Sequence, residues 1–363
     1  MQRKKIVVSV SNDITNDQRV HRICMSLQKF GYDVLLIGRT MKSSQNIEPR
    51  TYEIKRFRLL FNSGFLFYTF FNIRLFFYLL FCKADIFLSN DLDTLLGNTL
   101  AAKIKKVKLV YDSHEFFTEV PELENTKFKK KIWLIIEKYS IKKTDASYTV
   151  CSSIAEIYNK KYGINMQVVR NLPFKKNISI SYENRENILL YQGTLNKERG
   201  IEILIKAMKH LPYCNLIIAG KGYLEKELKN LAAELKLTDR IIFTGNICFN
   251  ELHNITSKAK LGFSIEQGKS FNYYYALPNK IFDYIQAGVP IICSDFPEMK
   301  NIINTCNVGE ILNMPTPEGL SLQVDELLNK PEKLKYYHDN CLVAKEILNW
   351  ENEEEKLRKI FLS

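Results

Sequence analysis

The segment Pro278-Asn-Lys-Ile-Phe-Asp-Tyr284 sets a lysine where a loop turns into a short helix, and a carboxylate one turn further in. Backbone N–H groups at a helix start, with a cation beside them, form a seat for a phosphate. A carboxylate one turn on can accept hydrogen bonds from a ribose diol. Lys280 and Asp283 therefore read as parts of a nucleoside diphosphate site. The theme recurs in Tyr191-Gln-Gly-Thr-Leu-Asn-Lys-Glu-Arg-Gly200, where a strand is followed by a glycine loop and a helix from Ile201. Arg199 supplies a planar cation suited to phosphate oxygens. Ala219-Gly-Lys-Gly222 follows the next strand. Its glycines read either as room for a ligand against the backbone or as a tight turn.

In the first half, Val110-Tyr-Asp-Ser-His-Glu115 puts His114 and Glu115 just beyond a strand, with Asp112 before them. A histidine so placed can donate to a sugar hydroxyl or titrate near neutrality. Asp91 and Asp93 in Ser89-Asn-Asp-Leu-Asp93, and Asp17 with Arg19, occupy similar loops. For Asp17 and Asp93 the helix N-cap is the simpler reading.

These residues need strands that end where they begin. Short β-rich runs alternate with helical stretches, the pattern of parallel sheets with crossover helices. The predicted strands are 6–10, 34–37, 54–57, 86–88, 108–111, 146–149 and 167–169, then 188–192, 215–219, 240–243, 261–264, 289–293 and 309–312. Ligands in such sheets collect at the carboxyl ends of the strands, and every loop named above lies there. The polar stretch 175–187 reads as an interdomain linker and 344–362 as a last helix lying across both domains. The predicted organisation is a first domain over 1–174, a second over 175–343, and a C-terminal helix over 344–363 that returns to the first.

With 363 residues, 46% of them hydrophobic and 25% charged, the chain reads as two globular domains. Residues 1–180 carry 30 Lys and Arg against 16 Asp and Glu, and residues 181–363 carry 22 against 24. The basic half implies an anionic partner: a phosphorylated substrate or an acidic membrane surface. Its lysines lack interleaved aromatics, and no nucleic-acid motif is present, so nucleic acid is not expected. Eight scattered cysteines without a C-x-x-C spacing imply reduced thiols in the cytoplasm and no zinc site. The apolar run after the basic start is too short for a signal peptide and reads as a first strand.

Residues 57–82 hold 19 apolar residues in 26, many of them phenylalanine. Arg58, Asn62, Thr69, Asn72 and Arg74 interrupt the run, and a membrane span there would cut the first domain between two of its strands. A crossover helix buried against the sheet is the first reading. The second is an aromatic helix at a bilayer interface, helped by Lys103, Lys105, Lys106, Lys127, Lys129, Lys130 and Lys131.

The ordered fragments Asp17-Gln-Arg-Val, Asn90-Asp-Leu-Asp-Thr-Leu, Tyr111-Asp-Ser-His-Glu, Gly193-Thr-Leu with Arg199-Gly, Ala219-Gly-Lys-Gly, Phe243-Thr-Gly-Asn and Pro278-Asn-Lys-Ile-Phe-Asp-Tyr with Ala287-Gly-Val-Pro resemble the retaining glycosyltransferases of family 4. The resemblance covers nearly the whole chain and is nearest to bacterial surface-polysaccharide transferases. It implies the GT-B fold, an α/β architecture of two Rossmann-like, doubly wound parallel-sheet domains facing across a cleft. It implies a nucleotide-diphosphate sugar as donor, UDP- or GDP-linked, a glycan or lipid-linked acceptor, and neither cofactor nor metal. His114, Arg199 and Lys280 become catalytic. Gly193, Thr194, Gly220, Gly222, Gly245, Asn246, Asn279 and Asp283 surround the donor, and Asp17, Arg19, Asp91 and Glu115 stand on the acceptor side. The implied place is the cytoplasm, at the inner face of the membrane.

The chain departs from the family in two ways. Thr194 stands where the family has an arginine. Tyr275 stands where the E-x7-E motif has its first glutamate, with Asp283 at the second and Glu266 nearby but off register. Two other readings follow: an epimerase on the same fold, or a nucleotide- or glycan-binding protein without activity.

Overall fold

The computed structural model describes residues 3–15, 17–41, 44, 46–124, 126–177, 180–268 and 270–362. The chain divides into two compact units, residues 1–171 with 354–363 and residues 172–353.

In the first unit the strands are β1 (Lys5–Ser9), β2 (Asp33–Thr40), β3 (Glu53–Arg58), β4 (Ile86–Asn90), β5 (Lys108–Ser113), β6 (Ala146–Thr149) and β7 (Met166–Val168). The helices are α1 (Gln18–Lys29), α2 (Gly64–Phe81), α3 (Leu92–Lys105), α4 (Pro121–Glu124), α5 (Lys127–Ile141) and α6 (Ser152–Tyr162). The sheet runs β3-β2-β1-β4-β5-β6-β7, every pair parallel. Its central strands are apolar and buried on both faces, as Ile6, Val7 and Val8 at 0% exposure show. That is why their sequences read as unbroken hydrophobic runs. Strand order reverses between β1 and β4, where Asn90 donates to the Ser9 carbonyl at 3.1 Å. Helix α2 buries one apolar stripe, Phe67, Phe71, Leu75 and Leu79, and leaves a second, with Phe70, Phe77 and Phe81, exposed. At its middle, Asn72 donates to the Asp93 carbonyl at 2.7 Å and accepts from the Gly97 N–H at 3.0 Å, which latches α2 to α3.

The second unit holds β8 (Ile188–Gln192), β9 (Asn215–Ala219), β10 (Ile241–Gly245), β11 (Leu261–Ser264), β12 (Ile291–Cys293) and β13 (Gly309–Ile311). Its helices are α7 (Ile201–Ala207), α8 (Glu225–Glu234), α9 (Phe249–Lys258), α10 (Phe271–Tyr274), α11 (Asn279–Gln286), α12 (Pro297–Cys306), α13 (Pro317–Leu328), α14 (Pro331–Ile347) and α15 (Trp350–Leu362). Its parallel sheet runs β10-β9-β8-β11-β12-β13 and reverses between β8 and β11. All thirteen predicted strands are present, with ends shifted by a few residues.

Two expectations of order change. The stretch 175–187 is no free linker: Tyr182 packs into the core of the second unit, and buried Arg185 donates to the carbonyls of Ala259 (3.1 Å) and Ala287 (2.6 Å). The last helix is two helices. Asn349 breaks them by donating back to the Lys345 and Glu346 carbonyls, both at 2.9 Å, while its own Oδ1 accepts from the Asn352 N–H at 3.0 Å. One side chain thus closes α14 and caps α15. The end of α15 belongs to the first unit. There Ser26 donates to Glu354 at 2.7 Å and the Tyr32 hydroxyl to the Phe361 carbonyl at 2.9 Å.

Candidate functional site

Each sheet gathers a charged cluster at the carboxyl ends of strands at or next to its reversal, the place where α/β sheets hold ligands. In the second unit those strands are β8 and β11. Glu266, two residues beyond β11, is 3% exposed and accepts from Lys280 Nζ at 2.9 Å and from Ser264 Oγ at 2.9 Å. Arg199 Nη1 lies 3.6 Å from the same Glu266 oxygen, with its guanidinium over the Tyr273 ring. Lys280, the second residue of α11, is itself buried, and its ammonium stands 4.3 Å from the centre of the Tyr191 ring.

Burial acts to raise the Glu266 carboxyl. The charge and hydrogen bond of Lys280, with Arg199 behind, outweigh it and hold the group below the ordinary glutamate range. Burial acts equally to discharge Lys280, and the carboxylate of Glu266 more than restores it. Two cations therefore converge on one carboxylate at the positive end of a helix. The cluster has the composition of an anion seat with a side-chain anion in it.

Asp283 lies one turn along α11. Its Oδ2 accepts from Gln192 Nε2 at 2.9 Å, and Gln192 Oε1 accepts from Thr256 Oγ1 at 2.9 Å. Lys176, Gln192, Leu252, His253, Thr256, Asp283 and Gln286 line a shallow pocket at this point. Asn279 is exposed at the start of α11. Thr194 takes no charge to the cluster; its carbonyl accepts from the Tyr191 hydroxyl at 3.0 Å.

The glycines answer first to packing. A Cβ on Gly220, whose φ is +146°, would lie 1.9 Å from the Gly193 carbonyl oxygen, and one on Gly222 would lie 2.3 Å from that of Leu195. The loops after β8 and β9 thus lie backbone on backbone, and the Gly220 N–H donates to Gly245 at 2.9 Å. Asn246 is exposed just beyond.

In the first unit the cluster forms at β1, β4 and β5. His114 directs Nε2 at Asp112 Oδ2 (3.0 Å) and Nδ1 at Asp91 Oδ2 (3.2 Å), while its backbone N–H donates to Asp91 Oδ1 at 2.8 Å. Burial would discharge the ring, but Asp91 and Asp112 raise it well above the usual histidine range. Both expectations for His114 as a free group give way: a carboxylate faces each ring nitrogen, which favours the protonated form and leaves no ring N–H for a sugar hydroxyl.

Arg19 is also corrected. It is 3% exposed and spends its guanidinium on Asp112 (2.7 and 3.1 Å) and on the Val169 carbonyl (3.0 Å). It braces the cluster from behind and presents no surface to an acceptor. Asp17 caps α1 as read, its Oδ1 accepting from the Val20 N–H at 3.0 Å.

Asp93 is not the cap of α3. Asp91 holds that position at φ +59°, with its carboxylate turned to His114 rather than to the helix. Asp93 sits in the first turn and accepts from Ser11 Oγ; burial, and then the charge of Asp91, pushes it up to about 7. Glu115 is partly exposed beside His114, and its carbonyl accepts from Ser113 Oγ at 2.9 Å.

Glu266 is the member of this cluster that sequence reasoning passed over. It stands just beyond a strand, the same signal that marked His114, and only its offset from the E-x7-E spacing set it aside. Tyr275 stacks on Phe271 at 6.2 Å between ring centres and puts no carboxylate there.

Comparison with known proteins follows these two halves. Residues 174–341 match the model for "Glycosyl transferases group 1", and residues 17–172 match that for "Glycosyltransferase Family 4". An uncharacterized glycosyltransferase of Methanocaldococcus jannaschii is 25% identical over 337 residues, covering 86% of this chain and 80% of its own. The O-antigen chain mannosyltransferase RfbU of Salmonella typhimurium is 29% identical over 161 residues, 43% of each chain. Among solved structures, Anabaena HepE in complex with UDP and glucose superposes with a TM-score of 0.75 at 13% identity, covering 99% of this chain and 100% of its own.

Proposed function

Because this chain belongs to the family 4 glycosyltransferases, we propose that it moves a sugar, with retention of configuration, from a nucleoside-diphosphate donor to a glycan or lipid-linked acceptor during assembly of a cell-surface polysaccharide. The carrying observation is the convergence of Lys280 and Arg199 on Glu266 at the reversal of the second sheet.

Departure of a nucleoside diphosphate leaves negative charge on its terminal phosphate. Two cations already held in place stabilise that charge most strongly as it develops. In this reading the diphosphate enters beside Glu266 and takes over part of the pairing that the carboxylate now supplies. Asp283, tethered by Gln192, receives the ribose hydroxyls. In the first unit, Asp91 and Glu115 serve the sugar and acceptor hydroxyls, and His114, with its ring nitrogens turned to Asp112 and Asp91, holds Asp91 in place for that task. A polysaccharide role draws support from RfbU, a relative named for O-antigen synthesis, and a uridine donor from HepE, which is known with UDP. We place the reaction at the cytoplasmic face of the membrane.

The test is thermal stabilisation by UDP, GDP, ADP, CMP and NAD. A rise with one nucleoside diphosphate, UDP first, that weakens in Arg199→Gln and Asp283→Asn supports the reading. No rise, or a rise with NAD alone, overturns it. Turnover of the matching radiolabelled nucleotide sugar then separates a transferase from a protein that only binds. Removing one such stabilising donor typically costs roughly a hundredfold or more in rate, which is the loss expected for Arg199→Gln.

A further inference from the structure

Gln192 ties three elements of the second unit together. It is the last residue of β8, 3% exposed, and its main chain pairs with Ala219 of β9. Its N–H donates to the hydroxyl of Tyr284 at 3.3 Å, and that hydroxyl reaches the carbonyls of Leu190 (3.1 Å) and Phe263 (3.2 Å). Its side chain then crosses from Asp283 of α11 to Thr256 of α9.

Chemistry fixes which way the amide points. A carboxylate only accepts, so the Nε2 end of Gln192 faces Asp283 Oδ2, at 2.9 Å. The Oε1 end then needs a donor, and the buried hydroxyl of Thr256 supplies one at 2.9 Å. That hydroxyl also lies 2.7 Å from the Leu252 carbonyl and shares its one proton between the two. Turning the amide over would set oxygen against carboxylate. Thr256, Gln192 and Asp283 thus form a directed chain with one favoured orientation.

The chain ends on a side chain that is only half-buried. Asp283 adjoins Tyr284, so the end of β8 grips two successive residues of α11, one through the main chain of Gln192 and one through its side chain. A carboxylate free to turn would lose conformational entropy when a ligand fixed it; here that loss is taken on folding. Such preorganisation shows as affinity and selectivity for the group that the carboxylate binds. Resting on the reading that Asp283 receives the ribose hydroxyls, we infer that Gln192 is a positioning residue for nucleoside recognition, oriented in turn by Thr256, and that the pair makes the site selective for a ribonucleotide over its 2′-deoxy counterpart.

The test is calorimetric titration of the full chain with UDP and with GDP, each beside its 2′-deoxy analogue. The wild type should bind the ribonucleotide about tenfold or more tightly than the deoxy form, as a hydrogen bond to a charged group implies. Gln192→Leu keeps the bulk and removes both ends of the amide. Its ratio should fall to about threefold or less, with little change for the deoxy form. Thr256→Val should lower the ratio part-way, and Thr256→Ser, which keeps the hydroxyl, should restore it. Because the effect runs through Asp283, Gln192→Leu should lower the ratio no further in a chain that already carries Asp283→Asn.

The ratio is read within each variant, so a general loss of stability cancels from it. A mere structural brace would weaken both forms by one factor. That result, or a wild-type ratio kept in Gln192→Leu, overturns the inference and leaves the role of Asp283 standing. A wild type that binds both forms equally removes the ribose role of Asp283 and the inference with it. Binding of neither UDP nor GDP defeats the donor-site reading itself, and the inference falls too. Should Gln192→Leu fail to fold, the Thr256 variants decide the question: a ratio unchanged in Thr256→Val overturns the inference.

Discussion

Replacing Lys280 by methionine tests the second unit's cluster most directly. The substitution keeps the length of the side chain and removes its charge. It leaves Glu266, whose side chain is 1% exposed, with Arg199 at 3.6 Å as its nearest remaining cation and Ser264 as its hydrogen-bond donor. At 2.9 Å, with an effective dielectric near 20, the lost attraction is about 6 kcal/mol before hydration is counted. Measured losses on removing one partner of a buried pair run at about 3–5 kcal/mol. For a unit of this size that is a fall of roughly 6–20 °C in melting temperature.

The cost must also depend on pH. Glu266 in the wild type is depressed, so its contribution is present above the unfolded glutamate value and is lost as pH falls through the folded value. In Lys280→Met the carboxyl loses the main cause of that depression, and the deficit should grow as pH rises from about 4 to 8. The assay is thermal and urea unfolding of Lys280→Met, Glu266→Gln and the double variant at pH 5 and pH 8. The double variant should recover most of the stability lost by Lys280→Met and still lack turnover. If the two single costs simply add, or if Lys280→Met costs under about 1 kcal/mol, the pair is not the buried couple argued for. The same experiment shows why loss of activity in Lys280→Met alone would be ambiguous: part of it would come from unfolding.

Arg19→Met should cost the first unit about 3–5 kcal/mol, because it takes the two-pronged partner from the fully buried Asp112 and leaves it only His114; urea unfolding measures this, and a loss below 1 kcal/mol would refute it. His114→Gln should destabilise most at acid and neutral pH and least at alkaline pH. The folded imidazolium is raised, so its contribution is complete below the unfolded value near 6.5 and disappears as pH rises through the folded one. Asp93→Asn should leave stability unchanged near pH 4 and increase it at pH 8, on the order of 1–4 kcal/mol. The wild-type carboxyl, pushed up to about 7, loses stability across that interval. Gly220→Ala should lower the melting temperature of the second unit and weaken nucleotide stabilisation together, since its Cβ meets the Gly193 carbonyl at 1.9 Å.

The strands were legible because parallel strands buried on both faces leave unbroken apolar runs bounded by glycine and polar residues. Lys280, Asp283 and Arg199 were legible because a phosphate seat needs a loop, a helix start and a cation, all close together in sequence. The partners were hidden. Arg199 and Glu266 lie 67 residues apart, and Arg19 and Asp112 lie 93 apart; which carboxylate meets which cation is decided by how the strands are ordered. The cap of α3 was misread for a local reason. Asp91 and Asp93 are equivalent in type, and the sequence does not show that Asp91, at φ +59°, takes the cap position with its carboxylate bonded to His114. Composition also could not say which side of α2 would be covered, since both sides are equally apolar.

The Asn72 latch makes α2 and α3 a single lever. The far end of that lever is Asp91, at the start of α3, with His114 hanging from it. Whatever shifts α2 is therefore passed along α3 to Asp91, and through Asp91 to His114, by two hydrogen bonds to one asparagine. Asn72→Leu, which cuts the latch, should let the two helices move apart from one another, and faster hydrogen exchange at the first-turn amides of α3 would report it.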